Sequence, residues 1–273
     1  MDLNAIKAKL DALNSNGQER EKTDYSTIFW KPSLGKQTIR IVPSAFDPAF
    51  PFKEMKFHYG VGKYPMVALS NFGKQDPIEE FVKELRKTSD KDNWSLSGKL
   101  NPKTRVFAPV VVRGEEDKGV RLWGFGVTIY KALLALAEDE DIGDFTDVIN
   151  GWDMVVEQTA GNPYPETTVR IKPKQTPLSD NNDQVDSWLK TQPNPVEVHN
   201  QYDYNFIKKQ LQNYLNPGSG DAAEAEAQAT TTDSNIDKSL PESLGQQKSD
   251  FATETAIAGN QDTVSKFDDL FNE

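Results

Sequence analysis

The sequence predicts a mainly β, α+β fold: a small barrel with helices inserted between its strands. Seven short segments at strand length are rich in β-branched and aromatic residues. Helical periodicity interrupts them only occasionally, which fits a small barrel better than an alternating parallel sheet. Composition then changes sharply at Pro217, after which Ala, Gly, Ser, Thr, Gln and acids dominate.

Residues 1–22 predict a short amphipathic helix. Leu3, Ile6, Leu10 and Leu13 recur at helical spacing, with Lys7 and Lys9 between them, and Asn14-Ser15-Asn16-Gly17 stops the run. A helix this short is marginal alone. It either packs on its own domain or acts as an arm that docks on a neighbouring molecule.

Residues 23–216 form the body. Y-S-T-I-F-W-K, Q-T-I-R-I-V-P and P-M-V-A-L-S are its first strand-like segments. A helix start follows, because Asp76 suits a cap, Pro77 the first turn and Glu79 the capping box before F-V-K-E-L-R-K. R-V-F-A-P-V-V-V-R and V-R-L-W-G-F are again strand-like, and V-T-I-Y-K-A-L-L-A-L-A is helical. W-D-M-V-V-E-Q and T-T-V-R-I-K-P complete the strands, and D-Y-N-F-I-K-K-Q-L-Q-N-Y-L closes the body as a helix. Residues 217–273 cannot bury enough apolar surface to offset ordering, so they predict a disordered acidic tail.

The net charge of −11 hides an uneven distribution. Residues 31–131 hold 18 Lys+Arg against 11 Asp+Glu, whereas residues 217–273 hold 3 against 12. A basic half-domain and an acidic tail therefore share one chain, and the low overall pI does not exclude a nucleic-acid partner. The chain has no cysteine, which rules out disulfides and thiolate metal sites. No apolar run approaches the roughly 20 residues of a membrane span, and Met1–Leu10 lacks a signal-peptide core. A soluble intracellular protein is the expectation.

Catalytic signals are weak. His58 and His199 are the only histidines, and neither has a partner at metal-ligand spacing. No nucleophile elbow or phosphate loop occurs, and Glu138-Asp139-Glu140-Asp141 reads as a solvated loop. Cations interleaved with aromatics are the stronger signal. Lys103, Arg105 and Phe107 alternate along one segment, and Arg121, Trp123 and Phe125 along another. Side by side, two such faces would form a groove with cations for phosphates and rings for bases. The other reading of Phe107, Trp123 and Phe125 is a barrel core. Lys63-Tyr64, Arg86-Lys87, Trp94 and Tyr164 are further candidate contacts on loops.

The ordered set F-W-K-P, T-I-R-I-V-P-S, F-K-E-M-K-F-H-Y-G, N-W-S-L, K-T-R-V-F-A-P-V-V-V and L-W-G-F-G resembles the helix-destabilising single-stranded DNA-binding protein family of T-even-type bacteriophages. The resemblance covers most of residues 1–216. It implies an OB-fold core that binds single-stranded DNA, an N-terminal arm for cooperative self-association (here Leu3, Ile6, Lys7, Lys9 and Leu10), and an acidic tail that recruits replication and recombination proteins. It also implies action in the cytoplasm of an infected bacterial host, without chemistry. Lys103, Thr104 and Phe107 match the family's DNA-contacting segment. Trp94 stands in place of a Tyr, Trp123 and Phe125 match an aromatic strand, and Tyr164 matches a loop Tyr.

Two departures stand out. His58 lies where the family's zinc-binding histidine lies, but the Cys-Pro-x-Cys ligand pair is Asp76-Pro77-Ile78-Glu79. The expectation is no metal or other cofactor, with packing of Ile78, Phe81, Val82 and Leu85 in its place. The arm also lacks the family's basic Ser/Thr cluster. In the tail, Phe267, Leu270 and Phe271 stand at helical spacing beside Asp268 and Asp269. This tip is expected to occupy the empty DNA groove and, when displaced, to bind a partner. Competing readings are an OB-type scaffold whose main ligand is a protein and a metal-dependent nuclease using carboxylates of the body.

Overall fold

The computed structural model describes residues 26–216 and 261–271. The arm residues Leu3, Ile6, Lys7, Lys9 and Leu10 lie outside them, as does most of the acidic tail. Eight strands build one mixed sheet: β1 (Phe29–Trp30), β2 (Gly35–Ile41), β3 (Lys53–His58), β4 (Met66–Val67), β5 (Lys103–Val112), β6 (Arg121–Phe125), β7 (Gly151–Thr159) and β8 (Glu166–Thr176). The order is β1-β6-β5-β2-β7-β8, with β3 joined to β5 and β4 to β3. Among the described strands, only β1 and β6 pair in parallel.

β5 organises the sheet because it pairs three times. β6 runs along Val106–Val110, while β3 pairs with Lys103–Phe107 and β2 with Val110–Val112. Its Val-rich sequence suits a strand buried on both faces. One face meets Trp30, Ile39, Ile41, Trp123, Phe125, Met154 and Val156, closed by Leu133 of α3 (Val127–Glu138). The other packs on Phe29, Met55, Phe57 and Leu122. Each fully buried large apolar side chain here contributes about 1.5–3 kcal/mol.

A helical layer stands beside the sheet, formed by α1 (Pro77–Arg86), α2 (Lys91–Leu100) and α5 (Tyr204–Leu215). α1 begins where the sequence predicts, but the Glu79 carboxylate pairs with the Ser70 hydroxyl instead of closing a capping box. Asp76 caps the Ile78 and Glu79 amides, Pro77 fills the first turn, and acids precede bases along the helix. Ile78, Phe81, Val82 and Leu85 share one face and pack with Leu96, Leu100, Ile207 and Leu211. α4 (Asn182–Lys190) covers the sheet near Val42, Val111 and Leu178.

Three elements go beyond the sequence reading: β3, α2 and α4. The α2 sequence K-D-N-W-S-L-S-G-K-L contains Asn, Ser and Gly, which favour turns in isolation. Packing of Leu96 and Leu100 on α1 overrides that preference. A further difference concerns the tail, where residues 261–271 form a helix, α6 (Gln261–Phe271), docked on the helical layer. A tail unstructured throughout 217–273 is therefore corrected at its tip. Among the described residues, no helix is long and apolar enough to cross a membrane.

Candidate nucleic-acid interface

Pairing register decides the fate of the two alternating segments. Phe107 lies opposite Gly124, whereas Trp123 lies opposite Ala108 and Phe125 opposite Val106. Directly paired residues project to the same side, so Lys103, Arg105 and Phe107 face one way and Arg121, Trp123 and Phe125 the other. The two rows do not line one groove.

Their rings are also core. Trp123 is 1% exposed and packs at 5.6 Å from Trp30 and 4.6 Å from Phe125. Phe107 is buried beside Phe29, Phe57 and His199. The expected groove surface of Phe107, Trp123 and Phe125 is corrected accordingly, since no ring face is left for a base. Two of their cations, Arg105 and Arg121, are buried as well, whereas Lys103 is exposed. Arg121 Nη2 donates to Glu115 Oε2 at 2.6 Å, and that bond, with Lys118, holds the Glu115 carboxyl below the usual range. Arg105 Nε reaches the Tyr59 hydroxyl at 3.4 Å, and burial raises the Tyr59 pKa although Arg105 opposes the shift.

An exposed arrangement lies one step earlier in the chain. Lys91, Trp94, Ser95 and Gly98 occupy the outer face of α2, opposite the buried Asn93, Leu96, Ser97 and Leu100. Trp94 is 56% exposed, and its indole N–H is held by the Thr88 carbonyl at 3.1 Å. That bond ties the ring to the end of α1, where Arg86 and Lys87 are exposed. At the other end, Lys103 Nζ reaches the Gly98 carbonyl at 3.4 Å. Residues 86–104 carry five Lys/Arg against two Asp.

β3 adds two exposed lysines on opposite sides of the sheet: Lys53 pairs with Phe107 and shares the side of Lys103, whereas Lys56 pairs with Thr104 on the other. Asn71 secures that strand, because its Oδ1 accepts from the Lys56 amide at 2.9 Å and its Nδ2 donates to the Lys56 carbonyl at 2.8 Å. Phe46 and Phe50 are exposed in the loop before β3. Lys53, Lys56, Lys91, Phe46 and Phe50 are absent from the sequence-based candidates. Lys91 follows a strong cap residue and precedes Trp94, a signal that was available to sequence reading. Lys63 sits 5.6 Å over the Tyr64 ring in the loop between β3 and β4. Tyr164 lies, half-buried, in the turn between β7 and β8.

The family described as gp32 DNA binding protein like matches residues 34–214. The chain belongs to this family. A comparison with curated proteins finds no match. The matched residues include all eight strands except β1, together with α1 to α4 and nearly all of α5.

Within this gp32-like domain, the position of the family's zinc calls for a test of fit. His58, Asp76 and Glu79 converge, with ligand-capable atoms within 4.8 Å of one another. Asp76 is fully engaged, however. Its Oδ1 accepts from the Ile78 and Glu79 amides at 3.0 and 3.1 Å, and its Oδ2 contacts the Leu69 amide at 2.8 Å and His58 Nε2 at 3.0 Å. Four partners use the lone-pair sites of one carboxylate, and Glu79 is paired with the Ser70 hydroxyl. Burial pushes the Asp76 carboxyl up, but the His58 and backbone hydrogen bonds outweigh it and leave it below the usual range. A zinc ion here would have to displace a helix cap, and the set lacks the thiolates of structural zinc sites. The residues do not fit the family's metal.

The tip of the tail is likewise placed. Phe267 is 2% exposed, Leu270 and Phe271 are half-buried, and Asp268 and Asp269 face outward. The apolar face rests on α1 and α5, not on the sheet. The expectation that the tip occupies a groove between strands is corrected.

Proposed function

We propose that the protein is a non-enzymatic single-stranded DNA-binding protein that coats and protects strands during phage replication, recombination and repair. What supports this reading is the α2 stripe within the family-matched residues. A protruding indole is flanked by cations on both sides, so bases can stack while Lys and Arg follow phosphates. Lys103, Thr104, Arg86, Lys87 and Trp94 from the sequence reading are retained as contacts, joined by Lys91, Lys53 and Lys56. Lys63, Tyr64 and Tyr164 are secondary contacts. Arg105 and Arg121 act through the strands that they brace. The mixed sheet is read as an OB-fold core, residues 1–22 as the arm for cooperative self-association, and the acidic tail as the recruiter of replication and recombination partners through Phe267, Leu270 and Phe271.

The test is tryptophan fluorescence titrated with poly-dT and with duplex DNA across a salt series. Single strands should bind more tightly, with log K falling linearly against log salt. Most of the quench should be lost in Trp94→Phe, because Trp30, Trp123 and Trp188 are buried and Trp152 is half-buried. Equal affinity for duplex, or a quench unchanged in Trp94→Phe, would overturn the proposed interface.

A further inference from the structure

The C-terminal F-D-D-L-F segment, Phe267–Phe271, has a receptor on its own chain. Phe267, Leu270 and Phe271 form one face of α6. The Phe267 ring meets Phe81 of α1 edge-on at 5.9 Å and 74°, a favourable geometry for an aromatic pair. Phe271 packs 4.8 Å from Phe267. Lys208 of α5 closes the helix end, since its Nζ donates to the Phe271 carbonyl at 2.8 Å and stands 5.2 Å over the same ring. A cation at a helix C-terminus and over an aromatic face is doubly favourable there. At the other end, the Thr263 hydroxyl donates to Asn93 Oδ1 of α2 at 3.4 Å.

Both ends and the middle of one apolar face are therefore matched. An 11-residue helix is marginal without a partner, so its helicity depends on this seat. Residues 216–260 lie between α5 and α6. Their 45 residues span at most about 150 Å. A tether of that order raises the local concentration of the tip towards about millimolar. Docking on its own chain then outcompetes docking on a dilute neighbour.

We propose that the face formed by α1, α5 and Asn93 is a receptor for the chain's own C-terminal helix, forming a latch that keeps Phe267, Leu270 and Phe271 covered until a partner's apolar groove outcompetes it. The latch rests on the recruitment reading above only in its last clause. A recruiting protein must supply a groove for an amphipathic helix with aromatics at i and i+4, and it binds only the released tip.

The absence of cysteine in the chain permits a direct test. In the full-length protein, Asn93→Cys with Thr263→Cys should be joined by a short thiol cross-linker within single molecules. Adding Phe267→Ser should reduce that product at least tenfold. No cross-link, or one indifferent to Phe267→Ser, would overturn the latch. A product that is mainly dimeric would also overturn it, by assigning the receptor to a second copy. Hydrogen exchange provides a second reading without cysteines. Amides of residues 264–271 should be protected in the unsubstituted chain and lose at least tenfold protection in Lys208→Glu; equal exchange in the two proteins would count against the latch. If the cross-link forms but the tip recruits nothing, the latch stands and the recruitment reading falls.

Discussion

Trp94 keeps over half of its surface exposed on α2, whereas Trp123 is packed between Trp30 and Phe125. Their truncations should therefore separate binding from folding. Trp94→Ala should remove about 1–3 kcal/mol of affinity for single strands while leaving the salt slope nearly unchanged. Lys91→Ala or Lys103→Ala should instead flatten that slope by about 0.7 per lost phosphate contact. Trp123→Ala should cost about 3–5 kcal/mol of stability, read by urea unfolding. His199 predicts a pH effect at the same scale. It is buried among Phe29, Phe57 and Phe107, and both of its ring nitrogens lack a hydrogen-bond partner. Desolvation lowers its pKa from 6.5 to about 4. Below pH 6.5 the unfolded chain takes up a proton that the native state refuses. Stability is thus full above that pH and falls by up to about 3 kcal/mol as pH approaches 4. His199→Leu should flatten this part of the stability profile.

At the scale of elements, Asp76 joins three pieces of structure through one carboxylate. It caps α1, receives the Leu69 amide at the turn after β4, and contacts His58 at the end of β3. Where the family resemblance implies a metal, hydrogen bonds hold this junction. Asp76→Ala should lose the cap, about 1 kcal/mol, and leave a buried amide and imidazole unpaired, about 1–3 kcal/mol more. Urea denaturation should show both. Because the folded carboxyl lies below its ordinary range, its contribution is complete above the unfolded pKa of 3.8 and is lost as pH falls further. This loss follows that of His199. A chelator should leave the melting temperature unchanged, and elemental analysis should find no stoichiometric zinc. Zinc bound tightly at one equivalent would contradict the reading of Asp76 as a cap.

For the whole molecule, charge is divided between a basic surface and an acidic tail on one chain. The tip helix touches α2 at Asn93, next to Trp94, and turns Asp268 and Asp269 outward. Deleting residues 261–273 should therefore raise affinity for single strands by about tenfold at low salt. The gain should vanish as salt screens the tail. The same deletion uncovers one side of Phe81, so the helical layer should lose about 2 kcal/mol of stability. DNA titration and thermal melting of the same variant read the two effects separately. Unchanged affinity at every salt concentration would remove the tail from control of DNA binding.

Local chemistry determined a good deal. Asp76-Pro77 specified the start of α1, β-branched runs specified most strands, and the spacing of Phe267, Leu270 and Phe271 specified one apolar helix face. These features depend on neighbours within a turn or two of chain, so the sequence alone carries them. The proposed interface was legible only in composition: basic, with aromatics. Which rings stack and which are core depended on strand register. Pairing Phe107 with Gly124 sends Trp123 and Phe125 to the opposite face of the sheet, and no local pattern encodes that choice. The seat of the C-terminal helix was hidden for the same reason. Its receptor combines Phe81, Asn93 and Lys208 from three helices, brought together only by packing of the helical layer. Tertiary structure alone decided both, because each rests on contacts between residues far apart in the chain.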